Sequence, residues 1–138
     1  PQIDPTKESF RLWDNKLYKS WKELGNAPII GGYLDLTRSS IESLDGLEEV
    51  KGSLDLRDTP MKSLGNLNYV GSWLDLQNAP LKSLGNLTSV GRFLALYNTP
   101  NLESLGKLKS VGGFLVTKGS TTEELVLNSK FADKISYF

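Results

Sequence analysis

The chain has 138 residues, 16 basic and 16 acidic, and a formal net charge of zero, a size that favours one domain over 1–138. The balance lacks the basic excess of a nucleic-acid binder. With no cysteine and no histidine, disulfides, thiolate or imidazole zinc sites and Ser-His-Asp or Cys-His nucleophiles are excluded. No apolar run approaches the about 20 residues that span a bilayer, and no signal-peptide pattern follows Pro1. No membrane partner is expected, and a cytoplasmic location is favoured.

From the N-terminus, Asp4-Pro5 reads as an N-cap and first-turn pair. Phe10, Trp13, Leu17, Trp21 and Leu24 come next at spacings of three and four, the pattern of an amphipathic helix. A helix over 5–24 is therefore expected to cap the N-terminal end of the fold.

Residues 25–118 repeat. Tyr33-Leu34-Asp35-Leu36, Ser53-Leu54-Asp55-Leu56, Trp73-Leu74-Asp75-Leu76 and Phe93-Leu94-Ala95-Leu96 are parallel copies, and Phe114-Leu115-Val116-Thr117 is a weaker fifth. Their first leucines recur every 20 residues, once every 21. Further columns are Ile41, Met61, Leu81, Leu102; Leu44, Leu64, Leu84, Leu105; Leu47, Leu67, Leu87, Leu108; and Val50, Val70, Val90, Val111, with Ile30 one coil earlier. A coil cannot bury its inward side chains alone, whereas stacked coils bury them continuously. Leu-x-Leu is the alternation of a strand, so the expected sheet is parallel. Pro60, Pro80 and Pro100 end the pairing of the strands before them. Glycines at 25, 65, 85 and 106, and at 31, 32, 52, 71, 91, 112 and 113, mark corners with left-handed or crowded backbone. Ser43, Ser63, Ser83 and Ser104 are expected to bond corner backbone.

The tail over 119–138 holds one more rung. Ile135 lies 20 residues after Leu115, and Thr121-Thr122-Glu123-Glu124 opens a short helix as a capping box, running to about Ser129. A wholly helical tail over 121–136 is the alternative, since Leu127, Phe131 and Ile135 also fit helical spacing.

These units resemble the leucine-rich repeat superfamily. Val70-Gly71-Ser72-Trp73-Leu74-Asp75-Leu76 and Leu81-Lys82-Ser83-Leu84-Gly85-Asn86-Leu87 look most like the variant of receptor L domains and like short repeat proteins of bacteriophages and bacteria. The resemblance covers about 24–118. Together with the readings of the two ends, the expected fold is an α/β solenoid with one parallel sheet of five to six short strands, 20–21-residue coils, an N-terminal capping helix and a short C-terminal helix followed by a final strand. The resemblance implies protein recognition without catalysis, for example by an accessory protein that blocks or sequesters a host protein. The usual asparagine position holds Ser39, Thr59, Ala79 and Thr99, so no asparagine ladder is expected there.

If the leucines face inward, three columns face outward. They are Tyr33, Ser53, Trp73, Phe93, Phe114; then Asp35, Asp55, Asp75, Ala95, Val116; then Thr37, Arg57, Gln77, Tyr97, Lys118. The later coils cluster Trp73, Phe93, Tyr97, Phe114 and Val116. Such an exposed apolar patch marks an interface with a protein partner or a second copy, unless the rings only brace neighbouring strands. Asp35, Asp55 and Asp75 read as solvent-facing positions with Arg57 as an available partner. Strands about 4.8 Å apart set like charges side by side, which should raise at least one pKa. The expected partner-binding set is Tyr33, Trp73, Phe93, Tyr97, Phe114, Asp35, Asp55, Asp75 and Arg57, with no catalytic residue, metal ligand or cofactor. Carbohydrate binding on the aromatic column is the alternative, and an acid-only glycosidase or lyase on the aspartates is weaker still.

Overall fold

The computed structural model describes residues 5–11, 28–44, 46–117 and 121–136. Over them the chain winds as a β-solenoid of about five turns, with coils of about 20 residues. Strands β3 (Leu34–Asp35), β5 (Leu54–Asp55), β7 (Leu74–Asp75), β9 (Leu94–Ala95) and β11 (Leu115–Val116) pair in parallel, in the register set by the repeat: Leu34 beside Leu54, Leu54 beside Leu74, and onward. β12 (Ile135–Ser136) continues the row, Ile135 beside Leu115. The last rung is thus a strand, and the wholly helical tail is not formed. Between β11 and β12 lie helix α1 (Thr121–Leu127) and a 3-10 turn (Ala132–Lys134). Thr122 Oγ1 donates to the Thr99 carbonyl at 2.9 Å, and Val126 and Phe131 enter the core.

Two expectations need correction. The chain forms two parallel sheets rather than one. Strands β2 (Ile29–Ile30), β4 (Glu49–Val50), β6 (Tyr69–Val70), β8 (Ser89–Val90) and β10 (Ser110–Val111) make a second, five-stranded sheet on the column that closes each unit. Each is two residues long and shows no alternation. They exist because stacked coils bring identical backbone segments into hydrogen-bond range.

The second correction concerns the N-terminal cap. Residues 5–7 form a turn, and Phe10–Arg11 is a strand, β1, that pairs with β3: Phe10 beside Leu34, Arg11 beside Asp35. No helix occupies this part of 5–24; Trp13, Leu17, Trp21 and Leu24 lie outside the described residues. The physical reason is the open edge of β3, whose backbone groups need partners. The Phe10 amide donates to the Tyr33 carbonyl at 2.8 Å, and those of Gly31 and Gly32 donate to the Pro5 and Glu8 carbonyls. This edge overrides the local helical spacing, and the large sheet has seven strands among the described residues.

The core lies between the sheets. Leu34, Leu54, Leu74, Leu94 and Leu115 are buried, as are Leu36, Leu56, Leu76 and Leu96 one alternation later and Val50, Val70, Val90 and Val111 opposite. The corners separate two uses of glycine. Gly65, Gly85 and Gly106 have positive φ, near 57°, and their amides donate to Ser63, Ser83 and Ser104 Oγ at 2.9–3.0 Å. Gly71, Gly91 and Gly112 are needed for close approach instead: a methyl group on Gly91 would run into the Gly71 carbonyl, and one on Gly112 into that of Gly91.

The turns after β3, β5, β7 and β9 use Arg38, Asp58, Asn78 and Asn98, all at positive φ. Asn78 donates to Asp58 and Asn98 to Asn78, both at 2.6 Å. Two side-chain hydrogen bonds thus link Asp58, Asn78 and Asn98 on the exposed side of the solenoid, one residue before the buried Thr59, Ala79 and Thr99. In that buried column the Thr59 and Thr99 hydroxyls donate to the Leu56 and Leu96 carbonyls.

Leu74→Ala should cost roughly 2–5 kcal/mol in urea unfolding, as for a buried leucine with no room to collapse. Gly91→Ala should cost more than Gly85→Ala. The first lies toward the top of the roughly 1–3 kcal/mol of overpacking, and the second near the about 1 kcal/mol of a left-handed alanine in open space. The reverse order would show that the corners are not stacked this closely.

Candidate functional site

The outer face of the seven-stranded sheet carries every residue of the expected set, but not as three equally exposed columns. The middle column is sunk. Asp35, Asp55 and Ala95 are buried and Asp75 half-buried; the aspartates are not solvent-facing positions. Short side chains here stand between two rows of longer ones, Tyr33, Trp73 and Phe93 on one side and Arg57, Gln77 and Tyr97 on the other. At Asp55 the Tyr33 hydroxyl and the Arg57 guanidinium close over the carboxylate.

Burial forces each carboxylate to find partners. Every one accepts the amide two residues on: Asp35 from Thr37, Asp55 from Arg57, Asp75 from Gln77, at 3.0–3.1 Å. Asp35 also accepts the Thr37 hydroxyl and pairs with Arg11, whose Nε lies 3.3 Å from Oδ2. Asp55, 0% exposed, receives both Nε and Nη2 of Arg57, the latter at 2.7 Å, and the Tyr33 hydroxyl at 3.4 Å. Arg57 Nε stands 3.6 Å from Asp75 Oδ2, a looser contact. The structure thus brings Tyr33, Asp55, Arg57 and Asp75 into one network. Arg11, which the helical reading of 5–24 concealed, is a member of the same column.

These contacts shift titration. The bidentate hydrogen bond to Asp55 raises the Arg57 pKa and keeps it charged. Burial, then the charges of Asp35 and Asp55, pushes the Tyr33 phenol up to about 12. Asp75 is raised above the ordinary carboxylate value, chiefly by burial; the Gln77 amide opposes this, and the Asp55 charge adds to it. Repulsion between neighbouring aspartates is therefore real but secondary to desolvation.

The N-terminal end of this face holds an open depression of about 320 Å³ lined by Arg11, Asp35, Thr37, Arg38 and Arg57. Its charges are largely answered: Arg11 by Asp35, Arg57 by Asp55, and Arg38 by Asp58 at 3.9 Å. No group of three or more Asp or Glu side chains converges on a common point among the described residues.

The aromatic row occupies the other half. Trp73 and Phe93, on neighbouring strands, stack with centroids 5.7 Å apart and planes 4° from parallel. Tyr33 reaches over the small, buried Ser53 to meet Trp73 edge-on at 5.6 Å. Trp73 and Tyr97 are half-buried; Phe93 is 37% and Phe114 60% exposed. Bracing and exposure coexist: Tyr33 and Trp73 brace strands, and Phe93 and Phe114 stay open to solvent.

No protein-family model, curated protein or solved structure matches the chain. Among the described residues no helix is long and apolar enough to cross a membrane.

Arg57→Ala should destabilise the fold by about 2 kcal/mol, less than for a fully buried pair because solvent screens half-exposed Arg57. Adding Asp55→Asn should recover most of that loss, since no buried charge is then left unpaired. A double-mutant cycle showing no coupling would mean that the pair is not formed.

Stability should also depend on pH. Tyr33 has a folded-state pKa above its ordinary 10.0, so its contribution is full below pH 10 and lost as pH rises through about 12. Asp75 behaves alike from its ordinary 3.8: its contribution is full below that pH and lost as pH climbs through the raised value. Tyr33→Phe should flatten the alkaline limb of a stability–pH curve and Asp75→Asn the acidic one. Unchanged limbs would place both groups in ordinary solvent.

Proposed function

We propose that this chain is a non-enzymatic protein-binding module that docks its partner on the aromatic half of the seven-stranded sheet. The observation that carries the reading is the exposure of Phe93 and Phe114 from adjacent strands, beside Trp73 and Tyr97. Apolar surface gains about 25 cal/mol per Å² on burial, and aromatic side chains are favoured anchors of interfaces. The carboxylates of Asp35, Asp55 and Asp75 are engaged by Arg11, Arg57, Tyr33 and backbone amides, which supports a structural rather than catalytic role. The face-to-face packing of Trp73 on Phe93 uses up ring faces that a sugar platform would offer, and so favours protein over carbohydrate. In this reading the coils are kin to leucine-rich repeats, and more narrowly to the short phage and bacterial repeat proteins. The module then acts by occupying a surface of its target. The parallel Leu-x-Leu strands at 20-residue spacing support that kinship.

The test is capture from a lysate of the source cells with wild type and a Phe93→Ser, Phe114→Ser double variant. Phe114 is mostly exposed and Phe93 lies at the solvent edge of its stack on Trp73, so the double variant should stay folded, at the cost of that one stack, and lose the captured protein. A folded double variant that retains its partner would move the functional face elsewhere.

A further inference from the structure

The depression at the charged end of the large sheet holds more guanidinium than the buried aspartates require. Arg11, Arg38 and Arg57 all line it, with Asp35 and Thr37. Arg11 lies on β1, Arg38 follows β3 and Arg57 follows β5, three neighbouring strands about 4.8 Å apart. The Arg38 amide donates to the Arg57 carbonyl at 3.1 Å, which sets these two side by side. The ion pairs here are layered. The Asp55 and Asp35 side chains are 0% and 13% exposed, while those of their partners Arg57 and Arg11 are 46% and 59% exposed. Solvent therefore reaches guanidinium more readily than carboxylate.

Compensation of buried charge accounts for Arg11 and Arg57. It does not account for Arg38. The carboxylate nearest to it, Asp58, stands 3.9 Å away, and both side chains are exposed. Asp58 also accepts the Asn78 side-chain amide through Oδ1. A surface pair this loose contributes little, so a better-placed anion displaces it at small cost. Arg57 meets Asp55 through Nε and Nη2, and a guanidinium carries five N–H donors, more than such a two-point pair uses.

Three guanidinium groups around one depression discriminate among anions. A carboxylate has two oxygens in one plane and a single charge, which suits one fork. A phosphate monoester has three terminal oxygens and a charge of about −2, and can meet several forks at once. The volume, about 320 Å³, lies at the small end of ligand sites. No aromatic ring is among the described lining residues, so a nucleobase would find no platform to stack on. Going beyond the docking of a protein on the aromatic half, we infer that this depression binds a phosphate monoester, with Arg38 and the solvent-facing edges of Arg11 and Arg57 as donors. The phosphoryl group is what the site reads, whether a phosphorylated side chain of another protein or a small molecule carries it.

The full chain, labelled with nitrogen-15, is titrated at low ionic strength with methyl phosphate, dimethyl phosphate and acetate, and with an acetylated, amidated alanine tripeptide whose central residue is phosphoserine. Methyl phosphate should shift the Thr37 and Arg38 amide signals and the arginine Nε signals, and saturate. Dimethyl phosphate, with one charge and two free oxygens, and acetate should each bind about tenfold more weakly, the effect of one charge-assisted hydrogen bond. Arg38→Ala keeps a Cβ at a backbone φ of 62° and removes only the loose pair with Asp58. It should fold as wild type does and bind methyl phosphate about tenfold more weakly. Asp58→Asn keeps the Oδ1 acceptor for Asn78 and removes the competing charge, so it should tighten binding about threefold. Phe93→Ser should leave binding unchanged. A phosphopeptide that binds tighter than methyl phosphate assigns the monoester to a partner protein, and equal affinity assigns it to a small molecule; both uphold the site. Shifts that do not saturate, acetate that binds as tightly as methyl phosphate, or an affinity that neither Arg38→Ala nor Asp58→Asn alters would overturn the inference. Such a failure leaves the reading of the aromatic half standing, because that half takes no part in the titration.

Discussion

Everything in this molecule depends on one constraint, the parallel stacking of coils at a fixed register. With Leu34 beside Leu54 and Leu54 beside Leu74, each side chain of a central coil lies about 4.8 Å from its equivalents. A residue is thus chosen for compatibility with itself. Leucine, valine and small threonine satisfy that condition in the dark, and asparagine satisfies it in solvent, because one amide can donate to the next, as Asn98 does to Asn78. Glycine satisfies it where the carbonyl of one coil fills the space that a methyl group would need on the next.

Aspartate does not satisfy it, and the site grows out of that failure. Three carboxylates in register, sunk between taller columns, would be costly without positive charge. The chain supplies Arg57 from the same coil as Asp55, and Arg11 from a strand that joins the sheet at its open edge. Asp75 receives the remainder of Arg57. The column then changes to Ala95 and Val116, which carry no charge to be offset. The gradient from charged to apolar along one face marks where compensation ends, and the exposed rings begin at that point.

The aromatic row obeys the same logic with a different outcome. Rings tolerate self-stacking, and Trp73 on Phe93 uses it. Tyr33 is separated from Trp73 by a serine coil and leans over the gap, so its hydroxyl reaches Asp55 and ties the aromatic row to the charge network. Phe114 ends the aromatic row and is its most exposed ring, 60% against 37% for Phe93. The outer face combines a half cross-braced by ion pairs with a half that keeps apolar surface in water.

The 20-residue period was legible in the sequence because identical apolar residues recur at identical offsets, and it set the register of β3, β5, β7, β9, β11 and β12, the buried columns and the outward placement of Trp73, Phe93 and Phe114. Ser63, Ser83 and Ser104 were legible for the same reason. What lay beyond sequence reading were features decided by neighbours in space. Phe10–Arg11 fits a helix locally and becomes a strand because β3 offers unpaired backbone. Glu49–Val50 and its equivalents carry no alternation and pair only because stacking brings them together. Asp55 belongs to a column that alternation sends outward, yet it is buried because Tyr33 and Arg57 close over it. Periodicity is a property of the chain and dictates which residues share a column; water access and pairing at an edge are properties of the assembled coils, and only the tertiary structure decides them.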